Sequence, residues 1–225
     1  MADSTYSTMG FLTYSPGKIA GPEYEEWLRA VDNPFFNSRP GIAEYSNWKV
    51  VGSTAKDLPF THFDFLGLDG PGTVEAVWFD HPLDEFRRDW VEKWGYAGGR
   101  PAAENQYAYL LERLGGSRDA TAMHVVVTAA PAVAPPSVAS GETWQLTSLL
   151  RKHWAIGRAA AGEPWRLQPA AHNPLKQFSF HIQAIESARD WQRHVPAAFG
   201  DQGFALCAEC LASPSRPIPH HCAPL

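Results

Sequence analysis

Two stretches of the sequence, 60–68 and 177–185, alternate aromatic or aliphatic residues with polar ones. The first places His62 and Asp64 on one face of an extended chain, and the second places His181 in the same way. A period of two is typical of a β-strand with one apolar and one polar face. The chain therefore needs a sheet whose aromatic face is covered, and this requirement limits the folds that it can adopt.

Helical patterns occur between the predicted strands. Apolar residues spaced three and four apart predict an amphipathic helix after a strand at 9–15, and a second one over 83–94. With strands at 42–51 and 60–68, the first half has the order β-α-β-β-α. The stripe of the first helix consists of Tyr24, Trp27, Leu28 and Val31.

The second half predicts the same order. A strand at 122–129 is followed by a helix that begins at Glu142, strands at 165–171 and 176–185, and a final helix from Ala188. A further helix is predicted over 107–114. The fold class is therefore α+β: two ferredoxin-like units that form an α+β barrel, as an internal duplication would produce.

This reading divides the chain into four segments. Residues 1–98 form the first unit, 99–121 a linker and helix, 122–200 the second unit, and 201–225 a C-terminal tail rich in Cys and His. The segment 130–141 has too much proline to sustain regular structure.

One segment resembles a known family. The residues from Tyr24 to Tyr45 are similar to the helix-to-strand signature of the dimeric α+β barrel superfamily, and most similar to its REDY-like (HapK) family. That family has a Tyr-x-x-Trp helix, then Asp-x-Pro, then Pro-x-(Val/Ile) before the next strand. The matching residues are Tyr24, Trp27, Asp32, Pro34, Pro40 and Ile42.

The resemblance covers roughly residues 9–94 and implies a barrel whose second sheet usually comes from another subunit. The second half of this chain could supply that sheet itself. Members of the superfamily include polyketide cyclases, lactone isomerases, monooxygenases, aldoxime dehydratases and haem peroxidases, so the resemblance implies a fold rather than one reaction. The family's Tyr-x-Glu on the third strand is replaced here by His62-Phe63-Asp64.

Polar residues that point inward from strands are the natural catalytic candidates in such a barrel. We expect His62, Asp64 and His181 to be catalytic: the two histidines as general acid and base, and Asp64 as the group that orients a histidine. The alternative is that they face solvent or are satisfied core groups. Candidate substrate-binding residues are Tyr14, Asp32, Tyr45, Trp48 and His124.

The C-terminal segment carries a separate signal. Cys207 and Cys210 form a Cys-x-x-Cys pair, and His220 and Cys222 follow. These are the ligand types that tetrahedral Zn²⁺ prefers, so a structural zinc ion is one interpretation. A flexible tail is the other.

Charge and cofactor motifs exclude several classes of function. The net charge is −5 without a basic cluster, which argues against nucleic acid as a partner. No apolar run is long enough to span a membrane, no secretory signal is present, and no glycine-rich nucleotide loop occurs. We expect a cytoplasmic protein, able to form a homodimer, that needs no cofactor for catalysis.

The sequence therefore predicts a cofactor-independent enzyme of the lyase, isomerase or cyclase type. Its substrate would be a small hydrophobic metabolite, aromatic or polyketide-like, which fits the nine Trp, twelve Phe and seven Tyr. One alternative is a non-enzymatic accessory protein that binds such an intermediate. Another is a haem-binding member of the fold that uses His124, His153 or His181 as an axial ligand.

Overall fold

An antiparallel β-sheet that closes on itself forms the centre of the protein. The computed structural model describes residues 6–16, 21–56, 58, 60–70, 73, 77, 81–94, 96–97, 100–101, 107–131, 141–151, 166–169, 178–196 and 203–215. The barrel strands are β1 (Thr8–Tyr14), β2 (Ile42–Ser53), β3 (His62–Leu68), β6 (Tyr107–Ser117), β7 (His124–Pro131), β8 (Gly141–Arg151), β10 (Phe178–Ile185) and β11 (Phe204–Ala212), with β9 at Arg166–Pro169. They follow one another in the order β10-β7-β11-β2-β3-β1-β6-β8, and β8 also pairs with β10, which closes the ring at eight strands. The strand β9 adds to the edge of β8.

A two-stranded sheet pairs β4 (Tyr96–Ala97) with β5 (Arg100–Pro101).

The helices pack on the outside of the barrel. The first helical segment runs as α1 (Pro22–Trp27), a π-helical turn (Leu28–Asp32) and α2 (Asn33–Asn37). The second is α3 (His81–Trp94), and a 3₁₀ helix covers Ala188–His194. No helix among the described residues is long and apolar enough to cross a membrane.

The strand content corrects the predicted fold class. The segments 107–114 and from Glu142 onward, predicted as helices, are the strands β6 and β8. Strands of the two halves bond to each other at two seams, β2 with β11 and β6 with β8. The prediction of two ferredoxin-like α+β units is therefore wrong, because one continuous sheet closes into a single barrel with few helices.

Other predicted elements are confirmed. The strands predicted at 9–15, 42–51, 60–68, 122–129 and 176–185 match β1, β2, β3, β7 and β10, and the helix predicted at 83–94 is α3.

Aromatic residues fill the inside of the barrel, as the alternating pattern predicts. Phe63 and Phe65 of β3 point inward, where Phe11, Trp48 and Trp144 are also fully buried. Rings pack at offset and edge-to-face angles, such as Phe11 against Phe63 with centroids 5.1 Å apart. The interior is a packed core, which leaves the outer face of the sheet to carry polar groups.

Candidate active site

A buried polar cluster lies between the outer face of β3 and the helices that cover it. His62 and Asp64 occupy that outer face, opposite Phe63 and Phe65, as predicted from the alternation. Asp64 is 5% exposed and His62 7%. Burial of a carboxyl group is costly unless hydrogen bonds compensate it, so the partners of Asp64 decide what this cluster can do.

The π-helical turn brings a second acid to the cluster. The first helix continues from α1 through the π-helical turn Leu28–Asp32 into α2, where Pro34 stands in the first turn. A proline is tolerated there, because the first N–H groups of a helix have no intrahelical partner. The wider turn leaves Val31 43% exposed and buries Asp32, which makes no cap hydrogen bond.

One amide group joins the two acids. The Nδ2 atom of Asn47 donates to Oδ2 of Asp32 at 2.8 Å and to Oδ1 of Asp64 at 2.9 Å. The two carboxyl groups therefore face the same nitrogen. Two phenols complete the shell of Asp64: Tyr14 donates to Oδ1 at 3.0 Å, and Tyr45 donates to Oδ2 at 2.8 Å.

This arrangement raises the pKa of both acids. Burial raises the pKa of Asp32 to about 7, although hydrogen bonds from Asn47 and Tyr45 oppose the shift. Burial and the nearby Asp32 charge raise the pKa of Asp64 well above its usual range. Two carboxyl groups this close cannot both ionise easily, so the pair holds a shared proton near neutral pH.

His62 lies at the edge of the pair and is neutral at physiological pH. Burial, followed by the nearby Lys49 charge, lowers its pKa to about 4. Its Nδ1 atom lies 2.9 Å from the Thr61 hydroxyl, whereas Asp64 bonds to Tyr14, Tyr45 and Asn47. Asp64 was expected to orient His62. In the structure its hydrogen bonds go instead to two phenols and to the Asn47 amide, which it shares with Asp32.

Aromatic rings form the outer wall of the site. The Tyr14 ring stacks on His62 at 5.8 Å and meets Trp90 of α3 edge to face at 5.7 Å. Trp90 Nε1 donates to the Tyr24 hydroxyl at 3.2 Å, and Trp27 stacks on Tyr24 at 6.1 Å. Trp27 and Trp90 are only partly buried, so they form the border between the acid pair and solvent.

The structure brings together only part of the predicted site. Asp32, Tyr14, Tyr45, His62 and Asp64 meet in the cluster.

The remaining predicted residues lie elsewhere. His181 is on β10, four strands from β3 in either direction around the barrel, with its Nδ1 atom 3.3 Å from the Thr143 hydroxyl. His124 begins β7, and Trp48 packs inside the barrel with Nε1 bonded to Ser46.

The predicted zinc ligands are divided between the two faces of a strand. Cys207 and Cys210 lie in β11, in the segment predicted as a tail, and Cys207 packs outside the barrel while Cys210 packs inside it. Two thiols on opposite faces of a sheet cannot bind one ion. His220 and Cys222 lie outside the described residues, as does His153. Within the described ranges, no three His, Cys, Asp or Glu side chains form a metal-binding group.

Sequence reasoning missed the amide groups of the site. Asn33, Asn37 and Asn47 all contact one another or the backbone beside the acids. A signal was available, because Asn33 and Asn37 are one helical turn apart at the end of the first helix. A second buried polar group, Arg118 with Glu142, was also missed.

Two solved structures share this architecture. An anthrone oxidase-like protein matches with a TM-score of 0.54 at 9% sequence identity, over 94% of each chain. A candidate monooxygenase from Lactobacillus acidophilus NCFM matches with a TM-score of 0.52 at 8% identity, over 92% of this chain and 95% of its own. No family model matches the sequence, and no curated protein matches it significantly.

At these identities the likeness establishes the fold alone. The two matches therefore show a shared fold and do not assign this chain to a superfamily. Nothing in the comparisons supports the REDY-like family in particular.

Proposed function

We propose that this protein is a small-molecule enzyme in which Asp32 and Asp64 move protons on an aromatic or polyketide-like substrate. The observation that carries the proposal is the shared Asn47 amide, which holds two buried carboxyl groups side by side. A pKa of about 7 at Asp32 suits a general base at neutral pH. Raised carboxyl pKa values in a cluster are typical of active sites.

The acids divide the proton transfers between them. Asp32 in its carboxylate form takes a proton from a carbon next to a carbonyl group, and the electron pair moves onto the carbonyl oxygen as an enolate. Asp64 in its acid form returns a proton at a second carbon, and a proton then passes from Asp32 to Asp64. This sequence is an isomerisation without net oxidation, and the same proton abstraction can begin a lyase or cyclase reaction.

Oxygenation is the second candidate, favoured by the names of the two structural neighbours. An enolate of a doubly benzylic CH₂ group can react with O₂. The carbon loses two hydrogens and gains a carbonyl oxygen, and the second oxygen atom leaves as water. In this reaction O₂ is the co-reactant, and the acid pair supplies the initial proton abstraction and the later proton return.

The ring wall supports an aromatic substrate. Tyr14, Tyr24 and Trp90 contact one another beside the acids, and Trp27 and Trp90 are open to solvent on one side. Flat ligands stack on such rings at a gain of about 0.5–1.5 kcal/mol per ring pair. The substrate would reach the acids from this border.

Anthrone is a suitable probe, because its central CH₂ group is acidic and its oxidation product is distinct. We expect the protein to accelerate exchange of that CH₂ group with D₂O, followed by NMR, and Asp32→Asn or Asp64→Asn to reduce the rate at least about 100-fold. Uptake of O₂ with anthraquinone formation would favour the oxygenation branch. Asp69→Asn, a carboxyl-to-amide change at an exposed position, is the matched control.

The alternatives give different results in the same assay. Loss of exchange in His181→Ala, with normal rates in both Asp variants, would support the histidine pair predicted from the sequence and contradict the acid pair. Quenching of tryptophan fluorescence by anthrone without any exchange or product would instead indicate a binding protein.

A further inference from the structure

The strand β2 extends past the end of its neighbour. Pairing between β11 and β2 ends with Ala212 opposite Asn47, so no strand of the described part of the chain pairs with the edge of β2 from Tyr45 toward Ile42 on that side. Buried backbone groups at such an edge need other partners. The N–H of Tyr45 donates to Oδ1 of Asn37 at 2.8 Å, and Nδ2 of Asn33 donates to the Tyr45 carbonyl at 2.9 Å.

These bonds determine which way each amide points. Because a backbone N–H can only donate, Asn37 must place its oxygen toward the N–H of Tyr45. Its nitrogen donates to the Tyr45 carbonyl and to Oδ1 of Asn33, both at 3.0 Å. The Tyr45 carbonyl can only accept, so it fixes the Asn33 amide independently of Asn37: the Asn33 nitrogen donates to that carbonyl and to Oδ1 of Asn47, which lies 3.0 Å away.

The orientation of Asn47 follows from Asn33. With its oxygen held by Asn33, Asn47 presents its nitrogen to Asp32 and Asp64. A reversed amide would place an oxygen against two carboxyl groups, which would favour their protonated forms. Asn33 is 7% exposed and Asn47 fully buried, so bulk solvent does not compete for these contacts.

We infer that Asn33 is a positioning residue, which holds the Asn47 nitrogen against both acids and thereby sets how tightly the pair holds its shared proton. The inference rests on the proposed function only for the role of the acid pair, which is proposed to transfer protons. The side-chain amide of Asn33 bonds to neither acid: its nitrogen donates to Tyr45 and Asn47, and its oxygen accepts from Asn37. It therefore acts through Asn47.

Other titratable groups around the pair are the same in every variant. They are Tyr14 from β1, Tyr24 from α1, Tyr45 from β2 and His62 from β3, with the Lys49–Glu25 ion pair at 2.7 Å beyond His62. On the β11 side, Arg29 bonds to the Leu211 carbonyl and pairs with Glu25 and Glu26. The described charged side chains of α3 that are exposed are Glu85, Arg88, Asp89, Glu92 and Lys93.

The test is a pH titration of ¹³C-labelled aspartate carboxyl groups by NMR. We expect the midpoint of the pair to rise by about one pH unit in Asn33→Ala and in Asn47→Leu, since each weakens a hydrogen bond to an ionised group. The double variant should shift no further than Asn47→Leu alone, because both changes act through one contact.

Asn37→Ala is the matched control. It removes an amide that also bonds to the Tyr45 backbone, but it leaves the Asn33 bonds to Tyr45 and Asn47 in place. Its midpoint should stay within a few tenths of a pH unit of the original. Equal shifts in Asn33→Ala and Asn37→Ala, or no shift in Asn33→Ala, would overturn the inference.

Asn33→Ser, a smaller polar side chain that cannot reach Asn47, gives a second measurement if Asn33→Ala does not fold. The same criteria apply to it. Because the titration needs no turnover, a protein inactive on every substrate would refute the proposed function and leave this result standing. If turnover is found, its pH profile should move upward with the titration in the Asn33 variants and not in Asn37→Ala.

Discussion

Asp32 and Asp64 make the stability of the folded protein depend on pH. An aspartate in an unfolded chain has a pKa of about 3.9, whereas that of Asp32 is about 7 in the folded protein. Between these values the folded state binds more protons than the unfolded state. The free energy of unfolding therefore falls as the pH rises from about 4 through 7.

Replacement of Asp32 by Asn should remove this decrease in the free energy of unfolding at high pH, because an amide does not ionise. We expect Asp32→Asn to raise the free energy of unfolding by roughly 1–4 kcal/mol at pH 8 and to have little effect at pH 4. Urea unfolding at several pH values measures both quantities. Asp69→Asn, at an exposed position, should show no such pH dependence, and an Asp32→Asn protein less stable than the original at pH 8 would contradict the prediction.

At the scale of elements, close packing at the end of β3 depends on a glycine. A Cβ atom at Gly67 would lie 2.6 Å from the ring of Tyr6, which packs in the barrel core. On the neighbouring strand β1, a Cβ atom at Gly10 would meet its nearest atoms at 3.4 Å. The two glycines lie near each other, since Gly67 pairs with Met9, but a Cβ atom at Gly67 would point into the barrel core and one at Gly10 toward Leu66 on the outer face.

We therefore predict unequal costs for the two alanine substitutions. Gly67→Ala should lower the free energy of unfolding by about 1–3 kcal/mol, because the Tyr6 ring must move and its hydroxyl leaves the Arg118 side chain. Gly10→Ala should cost less than about 1 kcal/mol. Thermal unfolding of both variants gives the comparison, and equal costs would show that the Tyr6 contact does not limit this position.

For the whole molecule, a buried ion pair connects separate parts of the chain inside the barrel. Arg118 Nε lies 3.3 Å from Oε2 of Glu142, with side chains 1% and 0% exposed. Arg118 also reaches the Tyr6 hydroxyl and lies over the Phe65 ring at 5.4 Å. Arg118, which follows β6, thus contacts Tyr6 before β1, Phe65 of β3 and Glu142 of β8. We expect these segments to fold together, because they share these contacts.

Removal of one partner should destabilise the entire barrel. We expect Arg118→Met to cost about 3–5 kcal/mol, since it removes a buried cation from Glu142 and leaves that charge to the Arg113 contact at 3.5 Å and the Trp144 Nε1 hydrogen bond at 3.3 Å. Adding Glu142→Met should recover part of that loss.

Far-UV circular dichroism and tryptophan fluorescence should report one common transition in urea, because a single sheet joins both halves. Two separate transitions would indicate independent units.

The local pattern of residues predicted much of this protein. The period of two at 60–68 placed His62 and Asp64 on one face, and the spacing of apolar residues predicted α3, because both depend only on neighbours in the chain. The same reasoning failed for β6 and β8. Tyr109 and Leu111 alternate as a strand requires, yet Leu110, Leu111 and Leu114 also fit a helix, and the sequence does not decide between the two.

Only the tertiary structure decided which chemical groups meet. The sequence marks Asp32 as a candidate binding residue but does not indicate Asp64 as its partner. The two acids meet because the π-helical turn and α2 pack against β2. His181 shares its local pattern with His62, but closure of the sheet places it on the far side of the barrel. The sequence by itself determined strand faces and the aromatic core, since these are short-range properties. The acid pair and its amide orientation depend on contacts between distant segments, which local periodicity does not encode.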